Sequence, residues 1–169
     1  LDHILFVLGL FLLSRSWRPV ITQVTAFTLA HSLTLALAAA GWVHAPESVV
    51  EPIIALSIAC LALENLFRPR YTRWRLLVVF IFGAVHGLGF AAAVADNLAN
   101  WSAGDIVLIL IGFNVGVEAA QALVIGTAAL ALWTVQKARL PEAKIRLGLS
   151  LTVALIGFGV FGSRLLGLG

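Results

Sequence analysis

The chain has 169 residues, 61% of them hydrophobic and 11% charged, with a mean hydropathy of +1.04. A water-soluble domain carries roughly a quarter charged residues, so composition excludes that class and makes this an integral membrane protein with lipid as its surroundings. The pI of about 9.8 raises nucleic acid as a partner, but the basic residues lie in short loops between apolar runs, a topology signal that excludes a nucleic-acid-binding stripe.

Crossing about 30 Å of hydrocarbon takes about 20 apolar residues in helical form. The expected fold is all-α: a polytopic helix bundle forming a single transmembrane domain over 1–169, with spans at about 1–14, 20–42, 48–67, 75–97, 105–133 and 146–167. The first span is clipped. The chain begins in mid-pattern at Leu1-Asp2-His3 and contains no methionine, which reads as a piece of a longer protein whose upstream part is extracytoplasmic. Asp2 and His3 open this span, and Ser14 to Pro19 closes it. The second span sets Thr25, Thr28, His31 and Ser32 on one face by i, i+3 and i+7 spacing. His44-Ala45-Pro46 ends it, and His44 reads as a solvated loop residue.

The third span groups Ser57, Cys60 and Glu64, and Arg68-Pro69-Arg70 breaks it. A single cysteine, Cys60, excludes an internal disulfide; it reads as a small core residue or a ligand. The fourth span carries His86 inside Phe82-Gly-Ala-Val-His-Gly-Leu-Gly-Phe90, where Gly83 and Gly87 permit close helix contact. The fifth groups Asn114, Glu118 and Gln121 on one face, with Gly112 and Gly116 beside them. Lys137 to Lys144, around Pro141, leads into a plain sixth span.

Ten of the eleven basic residues flank one side of this pattern, at Arg15 and Arg18, at Arg68, Arg70, Arg73 and Arg75, and at Lys137, Arg139, Lys144 and Arg146. Glu47, Glu51, Asp96 and Asp105 lie on the other. The positive-inside rule places the basic loops in the cytoplasm and both chain ends outside, in what we expect to be the cytoplasmic (inner) membrane of a bacterium. Trp17, Trp42, Trp74, Trp101 and Trp133 fall near span ends, as an interfacial aromatic belt should.

An ionisable group in hydrocarbon persists mainly where it faces a bundle interior, a partner or a pathway. His3, His31, His86, Asp2, Glu64 and Glu118 all meet that condition. At 1.5 Å per residue the three histidines lie about 17–20 Å from the basic face, at one level, with Cys60 and Asn114 near that level and Glu64 and Glu118 one turn nearer the basic side. A repeat pairs the layers: F-x-x-x-H-x-L recurs at offset 55 from Phe27 to Phe82, and Glu64 and Glu118 recur at offset 54. Spans 2–3 and 4–5 therefore read as parallel repeats, a common way to build a site between halves of a transporter.

The combination of D-H-I-L-F at Asp2–Phe6, T-A-F-T-L-A-H-S-L-T-L at Thr25–Leu35, E-N-L at Glu64–Leu66, F-G-x-x-H-G-L-G-F-A at Phe82–Ala91 and F-N-x-G-V-E-x-x-Q at Phe113–Gln121 resembles the HupE/UreJ family of hydrogenase/urease accessory membrane proteins. The likeness is to the branch with a large extracytoplasmic part before the bundle. It implies handling of a divalent transition metal, with nickel or cobalt supplied to hydrogenase or urease. Carried over by position, the metal residues are Asp2, His3, His31, His86 and Glu118. Asn114, Glu64, Gln121, Cys60, Ser32 and Thr28 then line the pathway or support those ligands. The resemblance also expects a further histidine several residues before the Asp2-His3 pair, upstream of Leu1.

Three functions remain open on the residues alone. The leading one is a nickel-like divalent-cation permease or metal-binding membrane module, a transporter or accessory protein rather than an enzyme. Imidazole and carboxylate suit nickel, cobalt and zinc alike. A second is an intramembrane zinc-dependent hydrolase, with three histidines holding zinc and a water activated on it. A third is a non-catalytic structural subunit among the other subunits of a larger membrane complex. No Gly-rich phosphate loop with Lys and Ser/Thr is present, and so no sign of ATP hydrolysis.

Overall fold

A computed structural model describes residues 1–14, 16–67, 72–98 and 102–168, without the side chains of 91–98 and 103. Arg15, Arg68, Arg70 and Trp101 fall outside these residues, as does the side chain of Asp96. The described residues form six helices and no strand: α1 (Asp2–Leu13), α2 (Trp17–Ala39), α3 (Glu47–Phe67), α4 (Arg73–Leu98), α5 (Ala103–Lys137) and α6 (Glu142–Leu165). All but α1 are long and apolar enough to cross a membrane. The 12 residues of α1 reach only about 18 Å. The protein is a multi-pass membrane helix bundle.

Local sequence explains the boundaries. Pro19 sits in the first turn of α2, where a missing N–H costs nothing. Gly41 takes φ 75° just past the end of that helix, a conformation open to glycine. Ser102 caps α5 by accepting from the Asp105 N–H, while the Asp105 carboxylate accepts from the Ser102 N–H, a reciprocal box that satisfies two orphan donors. Lys137 ends α5, and Pro141 stands directly before α6.

The most extensive interface joins α2 to α4, and the next joins α3 to α6. Both depend on glycine. A Cβ on Gly83 would stand 2.6 Å from the Phe27 carbonyl oxygen, and one on Gly87 would overlap Thr34 Oγ1 and the His31 carbonyl oxygen. Thr34 Oγ1 donates across this seam to the Ala84 carbonyl at 2.8 Å. On the other side a Cβ on Gly157 would meet the Ala59 backbone nitrogen at 2.8 Å. The helix α1 packs against both α3 and α5, while α3 touches α4 and α5 touches α2. Phe6, Leu10, Phe27, Ile58, Leu61 and Val79 form the core between these helices.

Gly112 and Gly116 do not make the close contact expected of them. A Cβ at either would meet nothing within 4 Å, because α5 packs lightly against its neighbours. Exposed Leu29, Leu108, Leu123 and Leu155 form the surface that hydrocarbon covers. Exposed Trp17, Trp42, Trp74 and Trp133 mark its edges.

Arg75 differs from its expected loop position. It lies in the first turn of α4 with its side chain fully buried. Its Nε donates to Gln23 Oε1 at 2.7 Å, Nη1 to Glu64 Oε2 at 2.7 Å and Nη2 to Asn65 Oδ1 at 3.0 Å. Asn65 Nδ2 continues to the Gly9 carbonyl, and Gln23 Nε2 to Ser14 Oγ. One guanidinium thus ties α1, α2, α3 and α4 at the basic end. At the acidic end Arg164, the one basic residue set apart from the others, bonds Asp2 at 2.8 Å and Glu51 at 3.6 Å, joining α6 to α1 and α3.

Candidate functional site

The short α1 delivers His3 in its first turn to the groove where α2 and α4 press together. The Gly83 and Gly87 contacts hold His31 and His86 side by side there. The His3 ring lies 5.2 Å from that of His31 and 5.0 Å from that of His86, centroid to centroid. His31 and His86 are completely buried.

Aromatic rings surround the cluster. Phe27 stacks on His31 at 5.9 Å and meets His86 edge-on at 5.2 Å. Phe90 lies 5.2 Å from His3, Phe113 stacks on His31 at 6.0 Å, and Phe6 lies 4.9 Å from His86. Few polar atoms are within reach, and the consequence is visible at the nitrogens. His3 Nε2, both ring nitrogens of His31 and His86 Nδ1 are buried without a hydrogen-bond partner. Orphaned buried polar atoms are costly and rare, and they mark places where a ligand, ion or water belongs.

Ser57 orients the third imidazole, a role that sequence spacing alone does not reveal. Its hydroxyl donates to the Ile54 carbonyl at 2.6 Å, so toward His86 Nε2, 3.1 Å away, it can only accept. That network puts the proton of His86 on Nε2 and leaves Nδ1 with a free lone pair. The signal available in the sequence was the Ser57 position one turn before Cys60, yet Cys60 itself is exposed. The His3 ring stands nearly perpendicular to the other two, at 82° and 84°. Among the described residues no group of three or more His, Cys, Asp or Glu is arranged to hold a metal as it stands. Rotation of the imidazoles about their side-chain bonds would be needed to converge on an ion.

The other named residues fall around this cluster at varying distances. Asp2 turns from His3 to Arg164. Ser32 Oγ donates to Asn114 Oδ1 at 2.6 Å, and Thr28 Oγ1 donates to Gln121 Oε1 at 3.2 Å, so these four form a polar seam between α2 and α5. Gln121 is buried and its Nε2 has no partner. Glu118 lies off the histidine cluster. It is exposed in a groove of about 300 Å³ with Thr25, Thr28 and Gln121. Glu64, expected to line the pathway or support the ligands, is held by Arg75.

Among known proteins, residues 1–164 match the family described as HupE / UreJ protein. No curated protein and no solved structure matches the chain.

Proposed function

The chain belongs to the HupE/UreJ family, a family of nickel- and cobalt-related accessory membrane proteins, and from that premise we propose that it binds a divalent transition metal, nickel before cobalt or zinc, and passes it through the bundle. One observation carries this reading: three clustered imidazoles with four buried ring nitrogens that have no protein partner. Neutral imidazole is the usual protein ligand for such ions. His3, His31 and His86 bind the ion as cargo, and the surrounding phenylalanine rings exclude water. Asp2, bonded to Arg164, fixes the first turn of α1 and thereby His3. The Asn114 and Gln121 seam runs along α5 past Glu118, which receives the ion about one turn nearer the basic loops than Asn114. We assign Glu64 to holding the bundle through Arg75.

Elemental analysis of the purified protein after loading with nickel tests the site. His86→Ala is expected to lower bound nickel at least about tenfold, since a three-nitrogen set loses the member that Ser57 orients. Glu118→Gln should keep the binding and slow nickel flux into proteoliposomes severalfold. Unchanged nickel content in His86→Ala would remove the transport reading and leave the role of a structural subunit.

The orientation follows from charge: the basic loops face the cytoplasm of a bacterial inner membrane and both described ends face outward. A membrane-impermeant thiol reagent applied outside should reach a cysteine placed at Glu47 and miss one at Lys137, in a Cys60→Ala background. The reverse pattern overturns it.

A second reading, an intramembrane zinc hydrolase, is favoured by the apolar cavity that opens beside His3. Release of fatty acid from a membrane lipid by zinc-loaded protein would select it over transport.

A further inference from the structure

Two cavities line the lightly packed side of α1. The first, about 340 Å³, lies between α1 and α5 among His3, Ile4, Val7, Gly116, Gln121 and Val124. The second, about 390 Å³, continues among Ile4, Leu8, Val124, Ala128, Ile145 and Leu149. Ile4 and Val124 belong to both, so the two run end to end. Together they form a trench with α1 as its floor and α5 as one wall, while α6, which barely touches α5, walls the second cavity alone. Its lining runs along α5 from Phe113 to Val135, about 33 Å at helical rise, and along α1 from Leu1 to Leu12, about 17 Å, so the floor covers about half of the hydrocarbon layer.

The chemistry of the walls is one-sided. Apart from Thr127, whose hydroxyl is spent on the Leu123 and Val124 carbonyls of its own helix, the lining toward α6 is apolar. Other polar side chains line only the first cavity, at His3 and Gln121. Gln121 is 3% exposed and its Nε2 has no partner, and His3 Nε2 has none either. A buried amide N–H without an acceptor is a vacancy of defined chemistry: it wants an oxygen. Each cavity lies in the size range of small-molecule sites. A transmembrane helix, about 10 Å across and 30 Å long, displaces far more than both hold.

We propose that this trench binds one long acyl chain, lying along α1 between α5 and α6 with its carbonyl oxygen at Gln121 and His3, the chemistry of a long-chain fatty acid. The Gln121 contact does not depend on whether a metal occupies the histidines, whereas His3 Nε2 is shared with the proposed metal site. An acyl chain fills the apolar length. The carbonyl supplies the acceptor that Gln121 lacks and sets the lipid head within reach of the imidazole cluster.

Photolabelling of the full chain in phosphatidylcholine nanodiscs, with palmitic acid carrying a diazirine in its chain, tests this. The label should map to the α1 and α5 segments that line the trench. Val124→Trp, which plugs the junction of the two cavities, should lower labelling about tenfold or more. Leu123→Trp, on the outward face of α5, should change it less than about twofold. Gln121→Leu should lower labelling by the acid severalfold and leave labelling by a diazirine hexadecane unchanged, because only the acid uses the amide. Label spread evenly over the lipid-facing helices would overturn the proposal, as would labelling indifferent to Val124→Trp. Retention of phosphatidylcholine in place of the acid would overturn the single-chain assignment. A dimer that Val124→Trp dissociates would give the trench to a second copy of the chain. Should Val124→Trp fail to fold, the label map on the unaltered protein decides alone.

Discussion

Gly87→Ala is expected to unfold the bundle or to separate α2 from α4, with the largest stability loss of any single methyl addition to the chain. The new Cβ would overlap the His31 carbonyl oxygen and Thr34 Oγ1. Thr34 can rotate away at the loss of its bond to Ala84, but the His31 carbonyl belongs to the backbone of α2 and cannot. Overpacking a well-packed core costs about 1–3 kcal/mol and sometimes more, and a clash with backbone belongs at or above the top of that range. The same displacement moves His31 and His86 apart, so bound nickel should fall together with the unfolding temperature in detergent. Gly112→Ala is the control. Its Cβ would meet nothing, and alanine is the better helix former by about 0.8–1 kcal/mol, so that variant should be neutral or slightly more stable. Equal stability of the two variants would mean that the α2–α4 contact is not what holds the histidines.

The second large effect is expected at Arg75. Arg75→Leu removes the guanidinium that Gln23, Glu64 and Asn65 share and leaves a carboxylate facing apolar neighbours. Breaking a buried ion pair from one side costs about 3–5 kcal/mol. Glu64 keeps 27% of its side chain exposed, so water recovers part of the loss and a value near the lower end, about 3 kcal/mol, is expected. Arg75→Lys should recover little, since an ammonium cannot span three acceptors in a plane. The double variant Arg75→Leu with Glu64→Leu should regain at least half of the loss, because the unpaired charge is then gone. Thermal unfolding of the three variants separates these cases. A double variant as unstable as the single one would show that Arg75 acts through its packing alone.

Much of this protein is legible without coordinates. Helix number and type follow from apolar run length, because a chain in hydrocarbon must satisfy its backbone hydrogen bonds within each segment. The observed helices begin and end within about four residues of the expected spans, the largest differences being the end of α5 at Lys137 and the start of α6 at Glu142. The gathering of His3, His31 and His86 followed from counting rise along three helices, since depth in a membrane is nearly a one-dimensional quantity.

Rotation about each helix axis is harder to read from sequence. Ser57 and Cys60 lie one turn apart, yet Ser57 bonds His86 and Cys60 is exposed. The cause is Gly157, which draws α6 against Ala59 and so fixes which side of α3 faces inward. Glu118 stands between Asn114 and Gln121 in sequence. Those two bond α2, while Glu118 opens to a groove. Arg75 reads as a loop cation from its neighbours, and only the convergence of four helices shows that acceptors await it inside.

By itself the sequence determined the membrane class, the helices and the family, because those depend on composition and on pattern along the chain. Only the tertiary structure decided which side chains meet at a given depth. Azimuth and partner are set by how glycine-lined surfaces pack, and that depends on the volumes of residues far apart in the chain.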